Sequence, residues 1–343
     1  MTTAGNAAPG PRDPPSQGWP LAIGLVLGVL VDALAGDPAR GHPVALFGRA
    51  ASALERRLYA DEQRRGTIFA SGGVLLAAVP VAAGRRLASR SAVATAGLTT
   101  ATTWAVTGAR SLAAEAARIE AALDAGDLPA ARRLLPRLCG RDPAGLDATG
   151  IARAVVESVA ENSNDAIVAP LLWGALAGPA GLAGYRAANT LDAMVGHHSQ
   201  RYERFGWGAA RLDDIASWAP ARVTALLAAA CSPAVGGRPG RTWRVASRYG
   251  PRHPSPNAGW CEAAFAGALG VRLGGTLSYA GRVEHRPALG CGRPAEPTDI
   301  RRAIRLSRAV TAAATALAAA LALAPPGGSR AVFEIQRGCP VRA

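Results

Sequence analysis

The sequence predicts an all-α, polytopic helical membrane protein with amphipathic helices and long polar loops on the cytoplasmic side. Hydrophobic residues make up 49% of the 343-residue chain and charged residues 18%, against about 25% charged in an ordinary soluble domain. Several apolar runs approach the length of a membrane span. The formal net charge of +14 is carried by the polar segments between these runs, as the positive-inside bias of membrane proteins requires.

Apolar runs divide the chain into membrane and polar parts. They cover residues 20–35, 67–84, 91–109, 166–183, 223–235 and 309–324. A spanning helix needs about 20 apolar residues. The second and third runs carry no charge and are predicted spans, and the first and last nearly reach that length. A soluble bundle is disfavoured because these uncharged runs lack a polar stripe.

The fourth and fifth runs are broken or short, which predicts half-spans, re-entrant segments or helices buried within protein. The arginine-bearing segments 36–66, 110–165, 185–222 and 236–308 should all be cytoplasmic. This arrangement requires that run 166–183 dip into the membrane and return, or lie flat. In the first run, Gly24 and Gly28 have the GxxxG spacing that permits close helix contact.

The domain organisation follows from these runs. We predict a disordered tail over residues 1–19, one integral-membrane catalytic domain over residues 20–324, and a C-terminal tail over residues 325–343. The predicted location is the inner (cytoplasmic) membrane, with the active loops facing the cytoplasm.

The composition excludes several function classes. Lysine is absent, so all 38 basic residues are arginine, and neither a P-loop lysine nor a pyridoxal Schiff base is available. The five cysteines include no CxxC pair, which disfavours a zinc site or a disulfide framework. The arginines are spread over most polar segments and are not clustered, which argues against nucleic-acid binding.

The sharpest polar pattern precedes the fourth run. Arg153, Glu157, Glu161 and Asp165 recur every four residues and therefore share one helical face. Carboxylates grouped with asparagines such as Asn162 are typical oxygen ligands of Mg²⁺. A solvated face, with Glu157 paired to Arg153, is the alternative.

Three further polar clusters are candidates for chemistry. The first, at 36–49, suits a metal-phosphate pair or merely a turn. The second, at 185–222, includes Asp213 and Asp214, which are alternatively a helix-start cap. The third, at 253–262, combines a polar loop with a helix N-terminus and suits anion binding.

These motifs together resemble the CobD/CbiB family, the adenosylcobinamide-phosphate synthases of cobalamin biosynthesis. The resemblance is carried by GDP-x-R-x-HPV from Gly36, ESVAEN-x-x-D from Glu157, YR-x-x-NTLD-x-MVG from Tyr185, FGW-x-x-ARLDD from Phe205 and HPSPNAGW-x-E from His253. It extends over roughly residues 20–310. Cys261 stands where the family is expected to have proline.

The resemblance implies an integral-membrane ligase that joins adenosylcobyric acid to (R)-1-amino-2-propanol or its O-phosphate, with ATP and Mg²⁺. It further implies the corrinoid, the amine and the lipid bilayer as partners, no nucleic acid, and possible contact with other late cobalamin-pathway enzymes. A membrane transporter and a non-catalytic membrane subunit of a cobamide-assembly complex are the alternatives.

Site roles are assigned on the same basis. The predicted catalytic residues are Glu157, Glu161, Asp165, Asp192 and His253, and Glu161, Asp165 and Asp192 are also the predicted metal ligands. The predicted substrate-binding residues are Asp37, Arg40, His42, Asn162, Asn189, Arg201, Arg211, Arg222, Ser255, Asn257 and Glu262.

Overall fold

The computed structural model describes residues 18–38, 41–197, 199–279 and 282–324. The predicted substrate-binding residue Arg40 and the predicted C-terminal tail lie outside the described residues, as does the N-terminal segment 1–17. Helix α1 begins at Gly18, so the last two residues of the predicted N-terminal tail are helical.

The described residues form twelve α-helices and three strands. The helices are α1 (Gly18–Ala35), α2 (Pro43–Leu58), α3 (Gln63–Ala88), α4 (Ala92–Val106), α5 (Ala109–Asp124), α6 (Leu128–Leu134), α7 (Ala148–Ser163), α8 (Ala169–Leu191), α9 (Trp207–Cys231), α10 (Pro239–Tyr249), α11 (Ala258–Leu269) and α12 (Pro297–Leu323). The strands are β1 (Val271–Tyr279), β2 (Arg282–Leu289) and β3 (Arg293–Pro294). Two π-helical turns, Asn164–Val168 and Asp192–Gly196, adjoin α8 at its two ends.

Five helical segments in the described part of the chain are long and apolar enough to cross a membrane. They are Gly18–Ala35, Gln63–Ala88, Ala148–Gly196, Trp207–Val235 and Pro297–Leu323. Large apolar side chains on this bundle face outward, with Leu87 82%, Val93 81% and Leu34 78% exposed, which suits contact with lipid. The chain is a multi-pass helical membrane protein, as predicted.

The helix formed by the third apolar run is shorter than the full membrane span that was predicted. This helix, α4, has 15 residues, fewer than the number that a perpendicular span needs. The Ser91 side chain caps its start by accepting a hydrogen bond from the Ala94 amide, and the helix ends before Thr107. Its buried threonines, Thr99, Thr102 and Thr103, pack one face of α4 against the bundle, while Val93 near its start is exposed.

The GxxxG pair of α1 is a helix contact. A Cβ on Gly24 would lie 2.4 Å from the Thr99 Cβ, and one on Gly28 would lie 2.3 Å from the Thr103 Cβ. Because the contacts advance along both helices together, α1 and α4 run parallel. The two glycines therefore let the backbones approach as closely as small-residue interfaces in membranes allow.

Replacing Gly24 by leucine is expected to lower the thermal midpoint of the detergent-solubilised protein, because the new side chain would overlap Thr99. Overpacking of this kind costs about 1–3 kcal/mol. The matched control is Gly97→Leu on α4, since a Cβ there meets no atom within 4 Å. Equal midpoints for the two variants would contradict this close packing.

The fourth apolar run reverses direction. Gly178 has φ +69 and is followed by Pro179, so the helix cannot continue straight. A Cβ on Gly174 would lie 2.8 Å from the Leu182 Cγ, a contact between arms on opposite sides of the turn. The helix therefore forms a hairpin over residues 148–196, and whether this hairpin enters the membrane and returns, or lies flat, stays a prediction.

A small sheet departs from the all-α expectation. β1 pairs with β2 antiparallel and with β3 parallel. It is anchored to α7, where the Arg153 guanidinium donates a hydrogen bond of 2.8 Å to the Gly274 carbonyl. Val271, Leu273 and Leu289 of the sheet are buried in the main hydrophobic core, and β2 carries Arg286 close to His253 of the site described below.

Candidate active site

The hairpin brings its two π-helical turns to the same end of the bundle. One turn carries Asp165 and the other begins at Asp192. Single π-helical turns within helices occur frequently at functional sites, since the inserted residue redirects neighbouring side chains. Asp165 interacts with Asn189 and Tyr185 of the opposite arm, although about twenty residues separate them in sequence.

Five carboxylates gather at this end and are here called the acidic cluster. Its members are Glu161, Asp165, Asp192, Asp213 and Asp214. Asp165 interacts electrostatically with Glu161, Asp192 and Asp213. Helix α9 contributes the last two members, which lie inside the helix beyond its first turn. This position excludes the helix-start cap considered for them.

Amide side chains hold the acidic cluster in place. The Asn164 amide nitrogen donates to Asp165 Oδ1 at 2.7 Å, and the Thr224 hydroxyl donates to Asn164 Oδ1 at 3.1 Å. The Asn189 amide nitrogen lies 3.3 Å from Asp213 Oδ1. These contacts join both hairpin arms to α9 around the carboxylates.

The acidic cluster has little direct charge compensation within the described residues. There, Asp165, Asp192 and Asp213 form no ion pair, while Asp214 Oδ2 lies 3.8 Å from the Arg211 guanidinium. Carboxylates held this close together repel one another unless a cation lies among them. The arrangement therefore suits a ligand that brings positive charge, such as an ammonium group or a metal ion.

The side chains of the acidic cluster can be compared with the ligands that Mg²⁺ commonly uses. In the part of the chain that the structure describes, no three His, Cys, Asp or Glu side chains are arranged to hold a metal ion by themselves. Mg²⁺ commonly binds one or two carboxylates together with substrate phosphates and waters. Asp165 and Asp192 fit that pattern for an ion bound together with a nucleotide.

A second set of predicted residues lies beside the acidic cluster. The Arg222 guanidinium donates to Asn257 Oδ1 at 3.1 Å, and the Asn257 amide donates to the Asp214 carbonyl at 2.9 Å. Arg222 also stacks on the rings of Trp218 and Trp260, at 4.5 and 4.9 Å from their centroids. Arg222 is thus held rigidly at the edge of the site.

His253 and Glu262 form a buried acid–base pair. His253 Nδ1 accepts a 3.0 Å hydrogen bond from the Ser255 amide. The other ring nitrogen, Nε2, lies 3.9 Å from Glu262 Oε1. Glu262 is only 2% exposed. Its burial, reinforced by the charges of Glu157 and Glu161, raises the pKa of the Glu262 carboxyl well above its ordinary value.

The Glu157 carboxylate is held by hydrogen bonds from residues outside the acidic cluster. Its carboxylate accepts hydrogen bonds from the Arg141 guanidinium at 2.6 Å and from the Gly274 amide at 2.7 Å. The suggested pairing with Arg153 is wrong, because Arg153 contacts the Gly274 carbonyl instead. With both oxygens engaged, Glu157 is better placed to hold the sheet against α7 than to accept a proton.

The segment after α1 reaches the hairpin. His42 Nε2 lies 3.4 Å from Asp37 Oδ1, and Asp37 interacts electrostatically with Arg186 of the second hairpin arm. These two predicted residues therefore lie on the side of the site formed by α2 and α8.

Three other predicted residues have local partners. The Asn162 amide donates to the Ser158 carbonyl of its own helix. Arg201 pairs with Glu55 at 3.3 Å and lies over the Tyr59 ring, and Arg211 is exposed on α9. The structure does not bring Asn162 or Arg201 into the acidic cluster, whereas Arg211 reaches its outer member, Asp214. The binding roles of all three remain predictions.

Several residues of the site were not predicted from the sequence. Tyr185 and Arg186 were given no role although both stood within the quoted motifs, and Asp213 was considered only as part of a cluster or a helix-start cap. A search for every polar residue in those motifs would have included them. Arg141 and Arg286 lie outside the motifs, and Arg286 Nη1 approaches to 3.3 Å from Nε2 of the predicted His253.

Comparison with known proteins agrees with the sequence motifs. The family model described as CobD/Cbib protein matches residues 25–307. A cobalamin biosynthesis protein CobD from Mycobacterium tuberculosis is 52% identical over 85% of this chain and 93% of its own length. The proteins of that name from Geobacter metallireducens and Chromobacterium violaceum are 42% and 41% identical, over 80% and 83% of this chain and 87% and 91% of their own lengths.

No solved structure matches the chain. The family model nevertheless spans the hairpin, the acidic cluster and both buried pairs, and the relatives cover most of the chain at high identity. The chain therefore belongs to the CobD/CbiB family of cobalamin biosynthesis proteins.

Proposed function

We propose that the protein joins adenosylcobyric acid to (R)-1-amino-2-propanol or its O-phosphate in an ATP-dependent reaction that forms an amide bond. The observation that carries the proposal is the acidic cluster, in which carboxylates from three helical segments meet with little direct charge compensation among the described residues. Such a cluster can bind an amine as its ammonium ion and then accept its proton. Membership of a cobalamin biosynthesis family supports a corrinoid as the other substrate.

The orientation proposed places the acidic cluster at the cytoplasmic membrane edge. Arg110 donates hydrogen bonds to the Ala33 and Leu34 carbonyls at the end of α1, and Asp37 just beyond interacts with Arg186, a neighbour of Asp165. Arg302 near the start of α12 similarly donates to the Val235 carbonyl. The positive-inside bias of the arginine-bearing segments favours the cytoplasmic side of the inner membrane for the end that carries the acidic cluster.

Each step of the proposed reaction is assigned to particular residues of the site. ATP with Mg²⁺, when bound, supplies the phosphoryl group that turns a carboxylate into an electrophile. Asp165 and Asp192 would hold the metal ion, and Arg222 would contact an anionic group. As the amine nitrogen attacks the carbonyl carbon, phosphate leaves, and Glu161 or another carboxylate of the acidic cluster accepts the proton.

The proposal is tested with purified protein in lipid vesicles, supplied with labelled adenosylcobyric acid, ATP, Mg²⁺ and each amine in turn. ATP-dependent amide product is the expected result. Transfer of the corrinoid across the vesicle membrane without chemistry would instead indicate a transporter. Absence of both would indicate a non-catalytic subunit.

Glu161→Ala is expected to lower turnover by more than tenfold, since a positioned general base commonly contributes about 10²–10⁴-fold. Rates are compared at saturating substrate, with Glu203→Ala on the 199–206 segment as the control. Turnover within tenfold of the parent would remove Glu161 from the proposed centre.

A further inference from the structure

A cavity of about 850 Å³ lies between α1, α5 and α12 and is here called the three-helix groove. No member of the acidic cluster lines it. Its walls are mainly apolar, with Val26 and Leu30 from α1, Ala113 from α5, and Ala312 and Ala316 from α12. Because small side chains occupy most of the lining positions on α5 and α12, these helices leave open space between them.

The threonines in the wall offer no free hydroxyl donor to a ligand. The Thr311 hydroxyl donates to the Ser307 carbonyl, and the Thr315 hydroxyl donates to the Thr311 carbonyl, each at 2.8 Å. A sugar or a nucleotide entering the groove would lose its hydrogen bonds to water and find few replacements along these walls. A hydrocarbon chain has no such bonds to lose, so the walls suit a lipid chain.

The groove also has a charged end, which lies at the membrane edge. Arg110 directly follows the apolar run 91–109, and Arg308 directly precedes the run 309–324. Both arginines line the groove, which extends along α12 from Arg308 to Ala316, about 12 Å at the rise of an α-helix. A charged end at the membrane edge and an apolar end within the span match the two parts of a phospholipid.

The charge at this end is positive. Arg308 is exposed and has no ion pair, hydrogen bond or other electrostatic partner within the described residues. Arg110 donates through Nη1 to the Ala33 and Leu34 carbonyls. It also interacts electrostatically with Asp32, which is fully buried and accepts a 3.3 Å hydrogen bond from the Arg110 amide. One buried carboxylate thus offsets Arg110, and the charge of Arg308 is left over.

We propose that the three-helix groove binds one anionic phospholipid. Arg308 contacts the headgroup phosphate, and an acyl chain lies along the apolar walls between α1 and α12. Basic pockets between transmembrane helices at the membrane edge bind anionic headgroups in this way. A zwitterionic phospholipid fits its chain into the same groove but leaves the charge of Arg308 uncompensated. The inference goes beyond the proposed function, because no substrate of that reaction takes part in it.

The test uses the full chain, purified in dodecyl maltoside and stripped of lipid, to which phosphatidylglycerol or phosphatidylcholine with identical acyl chains is added. Native mass spectrometry then measures how much of each lipid stays bound. The parent is expected to retain phosphatidylglycerol in preference to phosphatidylcholine. Arg308→Gln should weaken the binding of phosphatidylglycerol by about 10- to 100-fold, the usual effect of losing a hydrogen bond to a charged group.

Arg305→Gln is the matched control for the charge, because Arg305 is exposed on the same helix and does not line the groove. It should keep the preference of the parent.

A second pair of variants tests the apolar part of the groove. Ala316→Phe fills the space for the acyl chain and should weaken the binding of phosphatidylglycerol, while Ala320→Phe is the control at an exposed position outside the groove. If one of the two groove variants does not fold, the other decides. Equal retention of both lipids by the parent, or unchanged binding in the folded groove variants, overturns the inference. Because binding is measured without substrates, failure of the ligase proposal leaves this result unaffected.

Discussion

Replacing Asp165 by asparagine is expected to reduce amide formation by about a thousandfold, within the range for loss of an essential acid–base or charged group. Asp165 lies at the centre of the acidic cluster, where it interacts with Glu161, Asp192 and Asp213. Asparagine keeps the shape of the side chain but removes the negative charge that attracts an ammonium group or a metal ion. Initial rates with saturating ATP, corrinoid and amine provide the measurement.

The same substitution should leave the thermal midpoint unchanged or raise it, because it removes repulsion among clustered carboxylates. This combination separates a catalytic role from a structural one. Asp61→Asn is the matched control, since Asp61 is exposed between α2 and α3. A variant that loses activity together with stability would argue that Asp165 mainly holds the hairpin to α9.

Replacing Glu157 by alanine is expected to destabilise the protein by about 3–5 kcal/mol, the usual cost of breaking a buried ion pair on one side. The Arg141 and Glu157 side chains are 4% and 6% exposed, so the substitution leaves a buried guanidinium without its carboxylate. It also removes the acceptor of the Gly274 amide. Unfolding in a mixed-micelle denaturant series gives the free-energy difference.

Two control variants are compared with Glu157→Ala. Glu115→Ala breaks an ion pair with the exposed Arg118 and should cost at most about 1 kcal/mol. Glu157→Gln keeps an acceptor oxygen for the Gly274 amide and should cost less than the alanine variant. If Glu157→Ala were as stable as Glu115→Ala, the pair would not anchor the sheet to α7.

The sequence predicted much of the site because its motifs mark short segments rich in polar residues. Glu161, Asp165, Asp192 and Asn189 do converge, as expected. The roles within a motif were harder to assign. Glu157 shares the four-residue spacing of Glu161 and Asp165, but a distant residue, Arg141, engages its carboxylate. Helical spacing defines the face on which a side chain lies but does not identify what packs against that face.

Some structural features had no adequate local signal. The length of α4 depends on where Ser91 caps it and where the chain turns into α5, whereas the uncharged run around it is longer. The strands β1 and β2 follow the last of the quoted motifs, and no motif in that segment predicted that they would pair. Arg186 stood inside a quoted motif, yet its importance arises only because Asp37 and Asp165 interact with it.

Contiguous residues were enough to establish that this chain is a multi-pass helical membrane protein of a cobalamin biosynthesis family, because apolar length and motif order can be read without coordinates. Which polar side chains share a site could be learned only from the packed helices. The reversal at Gly178 sets Asp165 beside Asn189, and α9 adds Asp213, because burial of apolar helix faces brings together segments far apart in the chain.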